Sequence, residues 1–297
     1  MLLVLTGSKD GTADLLFSKI GNKGFRLNYD IFSDYSVVLQ PDHWSIENPT
    51  GLKITNLTAT SAFWWKAFNY FIDEENYVAE EVKYVFREIY GWFLARALTK
   101  GNNPEYHRFN GKIQLLNTAR TYFDVPQTIC GWGNGLKTDR LSGKRIVAKS
   151  LTSGLTTTNK ALFTTEVDPT KLDPCYPWYL QEKVDAKADV TIFVCGKTFF
   201  SFQRDRSGLK GLDWRNQDDM FSAEQQWTPF LLTRSQRQSV SAFLRKIAVD
   251  WGRIDFLWTG SKLVFLEYNA NGQFIFLDFQ DHFGLLDCVV KYLTDQK

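Results

Sequence analysis

Three polar side chains near the C-terminus stand out within an apolar run. Residues 251–273 read Trp-Gly-Arg-Ile-Asp-Phe-Leu, then a Thr-Gly-Ser turn, then Leu-Val-Phe-Leu-Glu-Tyr-Asn-Ala-Asn-Gly-Gln. Side chains two apart on a strand share a face, so Glu267 and Asn269 project together. A hairpin folded about Gly260 and Ser261 sets Asp255 opposite Glu267. Two carboxylates and an amide oxygen then converge among Ile254, Phe256, Val264, Phe265 and Leu266. Carboxylates so placed repel one another unless something cationic sits between them. An all-oxygen set with few carboxylates suits Mg2+, which also takes waters and substrate phosphates. The plainer alternative is an exposed hairpin face with solvated acids.

Two upstream stretches carry groups suited to the same chemistry. Lys149 ends the apolar run Ile146-Val147-Ala148, where a buried ammonium needs an anionic partner. A small, hydroxyl-rich loop follows at 150–159, of a kind that can close on phosphates through backbone N–H groups. Glu182, in Gln181-Glu182-Lys183-Val184, ends an aromatic strand and can accept from an amino group while neighbouring backbone atoms bind an edge. Taken alone, Lys149 also reads as a surface lysine at a strand end, and Glu182 as an ordinary surface acid. Gly131-x-Gly133-x-Gly135 fails the full dinucleotide-loop spacing, and no long helix begins there. His43, His107 and His282 are scattered with no Ser or Cys nucleophile placed beside them, which argues against a catalytic triad.

Strands and loops must position these groups, and the chain divides into three stretches that supply them. Residues 1–105 open with strand-like MLLVLTG, and 14–24 has helical spacing ending at glycine. YSVVLQ and LKITNLTA read as strands, and 63–100 as a long helical region crowded with Trp64, Trp65, Phe68, Phe71, Tyr84, Phe86, Trp92 and Phe93. That set reads as packed core or a homodimer surface rather than a ligand cage. Strands alternating with helices predict an open α/β domain. Residues 106–184 begin with a helix (GKIQLLNTARTYF), turn at Asp124-Val125-Pro126, and continue with strands in KRIVAKS, ALFTTEV and WYLQEKV. Residues 185–297 carry a hairpin turning at Gly196-Lys197, a polar loop around DWRNQDD, a helix at 235–250 and a second hairpin at 253–268.

Composition bounds the function. The 297 residues hold 35 Lys and Arg against 33 Asp and Glu, a formal charge of +2, so no footprint for nucleic acid or an anionic membrane is expected. At 44% hydrophobic and 15% aromatic residues, the chain buries a core and is not disordered. The four cysteines lie far apart without a C-x-x-C pair, which indicates reduced thiols rather than a zinc site or disulfide framework. The apolar start spans only residues 1–6, lacks a basic flank and reads as a first strand, and no run suits a membrane span. The expectation is a soluble, cytoplasmic protein.

Together these residues resemble the ATP-grasp ligases. WGRIDFL followed by VFLEYNANGQ is similar to the Arg-x-Asp and Glu-x-Asn strands that close the D-alanine–D-alanine ligase and ribosomal-protein glutamate-ligase pattern. The chain is closer still to the microviridin or graspetide type of ribosomal-peptide maturases. That pattern looks like ALFTTEV, LQEKV, a Val-x-Gly hairpin, Asp213-Trp214-Arg215 and a final N-x-N/P-x-G-Q segment. The resemblance covers about 105–275 and, more loosely, the N-terminal stretch. It implies an α/β fold with α+β elements: an N-terminal open α/β domain (1–105), a central subdomain (106–184) and a C-terminal subdomain (185–297) that clamp ATP between them.

By that resemblance, Lys112 matches the first phosphate-binding lysine, with one residue inserted into the usual Asn-Lys pair, and Lys149 matches the second. Glu182 with the Lys183–Val184 backbone matches the adenine hinge, and Asp189 the acid that binds ribose. Asp255, Glu267 and Asn269 match the Mg2+ ligands. Arg253 matches the catalytic arginine beside the acyl phosphate, and Arg204 lies where relatives carry a basic residue facing the phosphates. Asp213 and Arg215 match a substrate-side segment. Two departures stand out. Thr191 replaces the arginine of the usual Glu-x-Arg-Val strand, removing a guanidinium contact that threonine cannot supply. Ala270 stands where proline is common.

The implied reaction is attack of a substrate carboxylate on the γ-phosphate of ATP, followed by capture of the acyl phosphate by an amine or hydroxyl. The implied partner is a precursor peptide of leader plus core, cross-linked as lactam or lactone. Two other readings stand beside it. One is a ligase joining a free amino acid to a small carboxylate or a protein C-terminus; the other is a nucleotide-binding scaffold without turnover, motivated by Thr191. Nothing in the sequence separates ester from amide.

Overall fold

The computed structural model describes residues 1–66, 72, 74–103, 105–133, 136, 141–151, 163–209, 211–212 and 227–295. Within them, the first strand forms where the sequence places it. β1 (Leu2–Thr6) is buried on both faces, as a parallel strand covered by helices must be. It pairs in parallel with β2 (Gly24–Asn28) and β6 (Ser61–Trp64), and β7 (Thr99–Lys100) extends the sheet to the order β2-β1-β6-β7. α1 (Gly11–Ile20) begins at Asp10, whose carboxylate accepts from the Thr12 and Ala13 N–H groups. α2 (Asn76–Leu94) turns Ala79, Val82, Phe86, Ile89, Tyr90 and Phe93 inward at helical spacing. A small antiparallel sheet of β3 (Ser36–Leu39), β4 (Trp44–Glu47) and β5 (Lys53–Thr55) caps it, with Trp44 against Trp92 and Phe93.

The expected helical region at 63–100 is corrected here. Ser61–Trp64 is a buried strand, and the helix begins only at Asn76. A central parallel strand is apolar on both faces, so it lacks the alternation that would distinguish it from a buried helix. Trp64, Trp65, Phe86 and Phe93 are buried. Phe68 and Phe71 lie outside the described residues.

Two antiparallel sheets follow. β8 (Thr128–Gly131), β9 (Ile146–Lys149), β10 (Thr165–Val167) and β11 (Trp178–Glu182) order as β10-β9-β11-β8. β12 (Ala188–Cys195), β13 (Thr198–Asp205), β14 (Thr228–Pro229), β15 (Trp251–Trp258) and β16 (Leu263–Asn269) order as β14-β13-β12-β15-β16. Along β12 the period of two sorts the side chains. Val190, Ile192 and Val194 join a core with Leu115, Leu116, Val240 and Phe243, while Phe193 and Cys195 join one with Leu2, Val4, Trp65 and Val289. A short turn, α3 (Tyr106–Phe109), precedes α4 (Lys112–Ala119). α4, which belongs in sequence to the middle stretch, packs with α5 (Arg234–Lys246) on the C-terminal sheet. α6 (Leu285–Thr294) covers the opposite face beside α1. Among the described residues, no helix is long and apolar enough to cross a membrane.

Candidate active site

The hairpin of β15 and β16 has the register its sequence predicts: Asp255 lies opposite Glu267, and Arg253 opposite Asn269. Beyond Asp255 the pairing slips, Phe256 facing Phe265, so Leu266 is the extra residue of a β-bulge. Bulges re-aim side chains locally, and here the shift falls beside the two acids. Thr191 on β12 stands opposite Asp255 across the sheet. The face therefore gathers Thr191, Arg253, Asp255, Glu267 and Asn269 from three adjacent strands.

Asp255 is the hub. Arg253 donates to it side-on, Nε to Oδ1 at 3.0 Å and Nη2 to Oδ2 at 3.0 Å, and Thr191 Oγ1 donates to Oδ1 at 2.9 Å. Asn269 Nδ2 bridges the acids, 2.7 Å from Asp255 Oδ2 and 3.2 Å from Glu267 Oε1. The remaining Arg253 nitrogen, Nη1, reaches the Gln273 carbonyl at 2.9 Å. Lys112, the first residue of α4, sets Nζ 3.3 Å from Glu267 Oε2 and 3.3 Å from the Ser150 carbonyl. Burial by itself would raise the Glu267 carboxyl. Lys112 and Lys149 across the cleft, with the Asn269 hydrogen bond and Arg253, override burial and hold it down to about 2.

A cleft of about 350 Å³ opens between the two antiparallel sheets. On β9 and β11 alternation decides which side chains reach it. Ile146, Ala148 and Leu180 pack behind the sheet, and Val147, Lys149 and Gln181 line the cleft. Glu182, Lys183 and Val184 form one wall. The Glu182 carboxylate is paired with Lys144, and the Lys183 N–H donates to the Arg145 carbonyl at 2.7 Å. The Val184 N–H donates to no group among the described residues. Asp189 lines the same cleft. Burial pushes its carboxyl up to about 6 against the opposing effect of Arg206, whose Nη1 is 2.6 Å from Oδ1. Asp189 Oδ2 is buried with no hydrogen-bond partner among the described residues.

Of the residues the sequence singles out, Lys112, Lys149, Glu182, Lys183, Val184, Asp189, Arg253, Asp255, Glu267 and Asn269 all line this one cleft. Arg204 does not. It is the register partner of Asp189 but is only 4% exposed, beneath the lining. Arg206, two residues on, lines the cleft in its place. Arg206 follows the end of β13, two residues after Arg204, and nothing in the sequence marks which of the two reaches the cleft. Asp213, Arg215 and most of the 150–159 loop lie outside the described residues. Thr191, read as a lost contact, makes a defined one to Asp255.

No family model matches the chain, and no curated protein matches it in sequence. Solved structures do. The chain superposes on a Chryseobacterium gregarium RiPP-associated ATP-grasp ligase in complex with ADP and a leader and core peptide, with a TM-score of 0.80 at 20% identity over 100% of this chain and 97% of that one. It superposes on the macrocyclase MdnC of Microcystis aeruginosa MRC, bound with precursor peptide MdnA, with a TM-score of 0.79 at 19% identity over 99% of each chain. The ATP-grasp ligase PsnB, complexed with a phosphomimetic variant of a minimal precursor, Mg and ADP, gives 0.72 at 14% identity over 99% and 98%. At such identities the likeness establishes the fold, and the fold is that of the ATP-grasp ligases.

Proposed function

We propose that this ATP-grasp chain is an ADP-forming ligase that activates Asp or Glu side-chain carboxyls of a ribosomal precursor peptide and joins them to Lys, Ser or Thr as lactam or lactone. The observation that carries the reading is the arrangement of Arg253, Asp255, Glu267 and Asn269 on adjoining strands, with Lys112 and Lys149 facing Glu267 across the cleft. The peptide substrate is supported by structural neighbours that were solved with leader, core or precursor peptides.

The donor set fits Mg2+. Asp255 and Glu267 offer carboxylate oxygens on one face, and turning the Asn269 amide over would exchange its donor for its oxygen. When bound, Mg2+ supplies a Lewis acid that offsets phosphate charge. A structural neighbour was solved with Mg and ADP, which supports Mg2+ as the metal.

The chain's own groups do the rest. Both reactants, a carboxylate and the γ-phosphate of ATP, are anions, so their approach needs cations fixed in advance. Lys112 and Lys149 are positioned on separate elements to hold phosphate oxygens in line. The unengaged Val184 N–H suits a ring nitrogen of adenine, and the unpartnered Asp189 Oδ2 suits a ribose hydroxyl. Arg253, fixed through Asp255 and the Gln273 carbonyl, is placed to stabilise the oxyanion that forms when the nucleophile adds to the acyl carbon. A cleft walled by two sheets limits water, which would otherwise hydrolyse the acyl phosphate. Asp213 and Arg215 belong, in this reading, to the peptide side. The hydrogen bond from Thr191 to Asp255 supports a working site over a decayed scaffold.

The test is Mg2+-dependent ADP release by wild type and Glu267→Ala. The probes are peptides carrying an acidic block and a Lys/Ser/Thr block, encoded next to this chain's gene. Peptide-stimulated ADP release that vanishes in the variant, with one water lost from the peptide per bond, is the expected result. ADP release with free amino acids and small carboxylates alone would move the assignment to the amino-acid ligase. Nucleotide binding without ADP under any of these conditions would leave only the scaffold.

A further inference from the structure

Lys66 is the first polar residue beyond β6, at the carboxyl edge of the N-terminal parallel sheet. In the order β2-β1-β6-β7 the chain reverses direction across the sheet between β1 and β6, and open α/β sheets bind ligands in the crevice outside such a point. That crevice lies against the loop that follows the site hairpin, beside the cleft rather than in its lining. Lys66 Nζ donates to the Asn271 carbonyl at 3.1 Å, and Thr12 Oγ1 meets Gln273 Oε1 at 2.8 Å. The same Gln273 takes Arg253 Nη1 on its carbonyl, so one short loop, 271–273, holds both cations.

Among the described residues the amine has no counter-ion. Its Nζ lies 4.3 Å over the Trp65 ring, and no carboxylate among the described residues lies within 4.0 Å of it. Two charged groups face it from neighbouring elements, Asp10 at the cap of α1 and Arg253 on β15. Asp10 is committed elsewhere: Oδ1 accepts from the Thr12 and Ala13 N–H groups and Oδ2 from Thr6 Oγ1. Burial pushes the Lys66 amine down to about 8; Asp10 opposes the change and Arg253 reinforces it. Another titratable base near the site, His107, already spends Nε2 accepting the Ala270 N–H at 3.1 Å.

We propose that Lys66 is the proton acceptor for the attacking amine or hydroxyl in the second half of the reaction. The inference rests on the ligase reading above. The nucleophile's oxygen or nitrogen adds to the acyl carbon, moving the carbonyl π pair onto oxygen, and that pair returns as the bond from the carbon to the phosphate oxygen breaks. Phosphate leaves with the bonding pair, and the nucleophile's proton passes to the Lys66 lone pair, to be released to water before the next turnover. A neutral Lys66 still donates one N–H to Asn271, which keeps the amine in place while its lone pair is free.

Lys66→Arg retains charge and a donor for Asn271 but cannot act as a base near neutral pH. With ATP, Mg2+ and a peptide that wild type cross-links, hydroxylamine trapping of the acyl phosphate stays within about twofold of wild type. Cross-linking falls by about a hundredfold or more, and the rising limb of the wild-type pH profile near 8 disappears. Competitive acetylation of the full-length protein over pH 6–11, read by peptide mass, gives Lys66 a midpoint near 8, well below the other lysines. Equal cross-linking by Lys66→Arg overturns the proposal, as does an ordinary lysine midpoint. So does a parallel loss of trapping and cross-linking in Lys66→Met with full retention in Lys66→Arg, which would make the side chain a phosphate-holding cation. Absence of hydroxamate from wild type with every peptide sinks the ligase reading instead, and the acetylation midpoint still tests the amine.

Discussion

Asp255 accepts from Arg253, Thr191 and Asn269 at once, so its carboxylate is oriented before any ligand arrives. Glu267 is fixed differently, by Lys112 at 3.3 Å and by the field of Lys149. Its folded-state carboxyl, at about 2, lies below the ordinary value of 4.5. A depressed acid contributes stability above its unfolded-state value and loses it as pH falls through the folded one. Wild type should therefore be more stable than Glu267→Gln at pH 6, and the difference should shrink as pH falls from about 4.5 to 2. Urea midpoints of both proteins at half-unit steps check this; a difference independent of pH would mean that the lysines do not hold the ionised form. Most of these residues were legible from type and spacing. Arg206 and Lys66 were not, because neither belongs to a run that marks it, and their roles come from which surface each side chain reaches.

At the scale of elements, the hairpin depends on a backbone that only glycine permits. Gly252 has φ of +120°, and a Cβ there would lie 2.8 Å from Tyr268 Oη and 2.9 Å from the Asn269 carbonyl oxygen. Gly252→Ala therefore forces β15 away from β16 beside the residues that bear the chemistry. A loss of about 2–4 kcal/mol is expected by urea denaturation, with loss of ADP release even where the variant remains folded. An unchanged midpoint would show that the hairpin adjusts freely. The two C-terminal hairpins were legible in the sequence because apolar runs of matched length flank turns that carry Gly196 and Gly260. β6 was not, since its apolar residues run on through Trp65 into the aromatic stretch that follows, with no turn residue to set the strand off.

Across the whole molecule, Asn102 is among the residues that tie the N-terminal stretch to the site. Asn102 is 6% exposed, and its Nδ2 shares two N–H groups among three acceptors, the Trp251 carbonyl at 2.9 Å, Tyr268 Oη at 2.7 Å and the Ala270 carbonyl at 2.7 Å. It follows β7 directly and grips both ends of the site hairpin. A core shared by Leu2, Val4, Phe63 and Trp65 with Phe193, Trp251 and Phe274 joins the same regions. Phe193 stacks on Phe274 with ring centroids 4.6 Å apart. Asn102→Ala leaves buried carbonyls short of a donor, at a cost of about 2–4 kcal/mol. Because the core is continuous, unfolding should remain one transition, with far-UV circular dichroism and tryptophan fluorescence coincident. Two separated transitions would show that the N-terminal sheet folds independently of the site.

The sequence by itself determined the hairpins, the face shared by Glu267 and Asn269, and the opposition of Asp255 to Glu267, because a period of two and a tight turn fix these locally. It also determined that Lys149 and Glu182 each end a strand. Only the tertiary structure decided that Lys112 and Lys149 converge on Glu267, that α4 packs on the C-terminal sheet, and that Arg206 rather than Arg204 reaches the cleft. It alone brought Lys66 to the loop that holds Arg253. Those outcomes depend on how whole sheets and helices pack against one another, and contacts between segments distant in sequence leave no periodic trace in either segment.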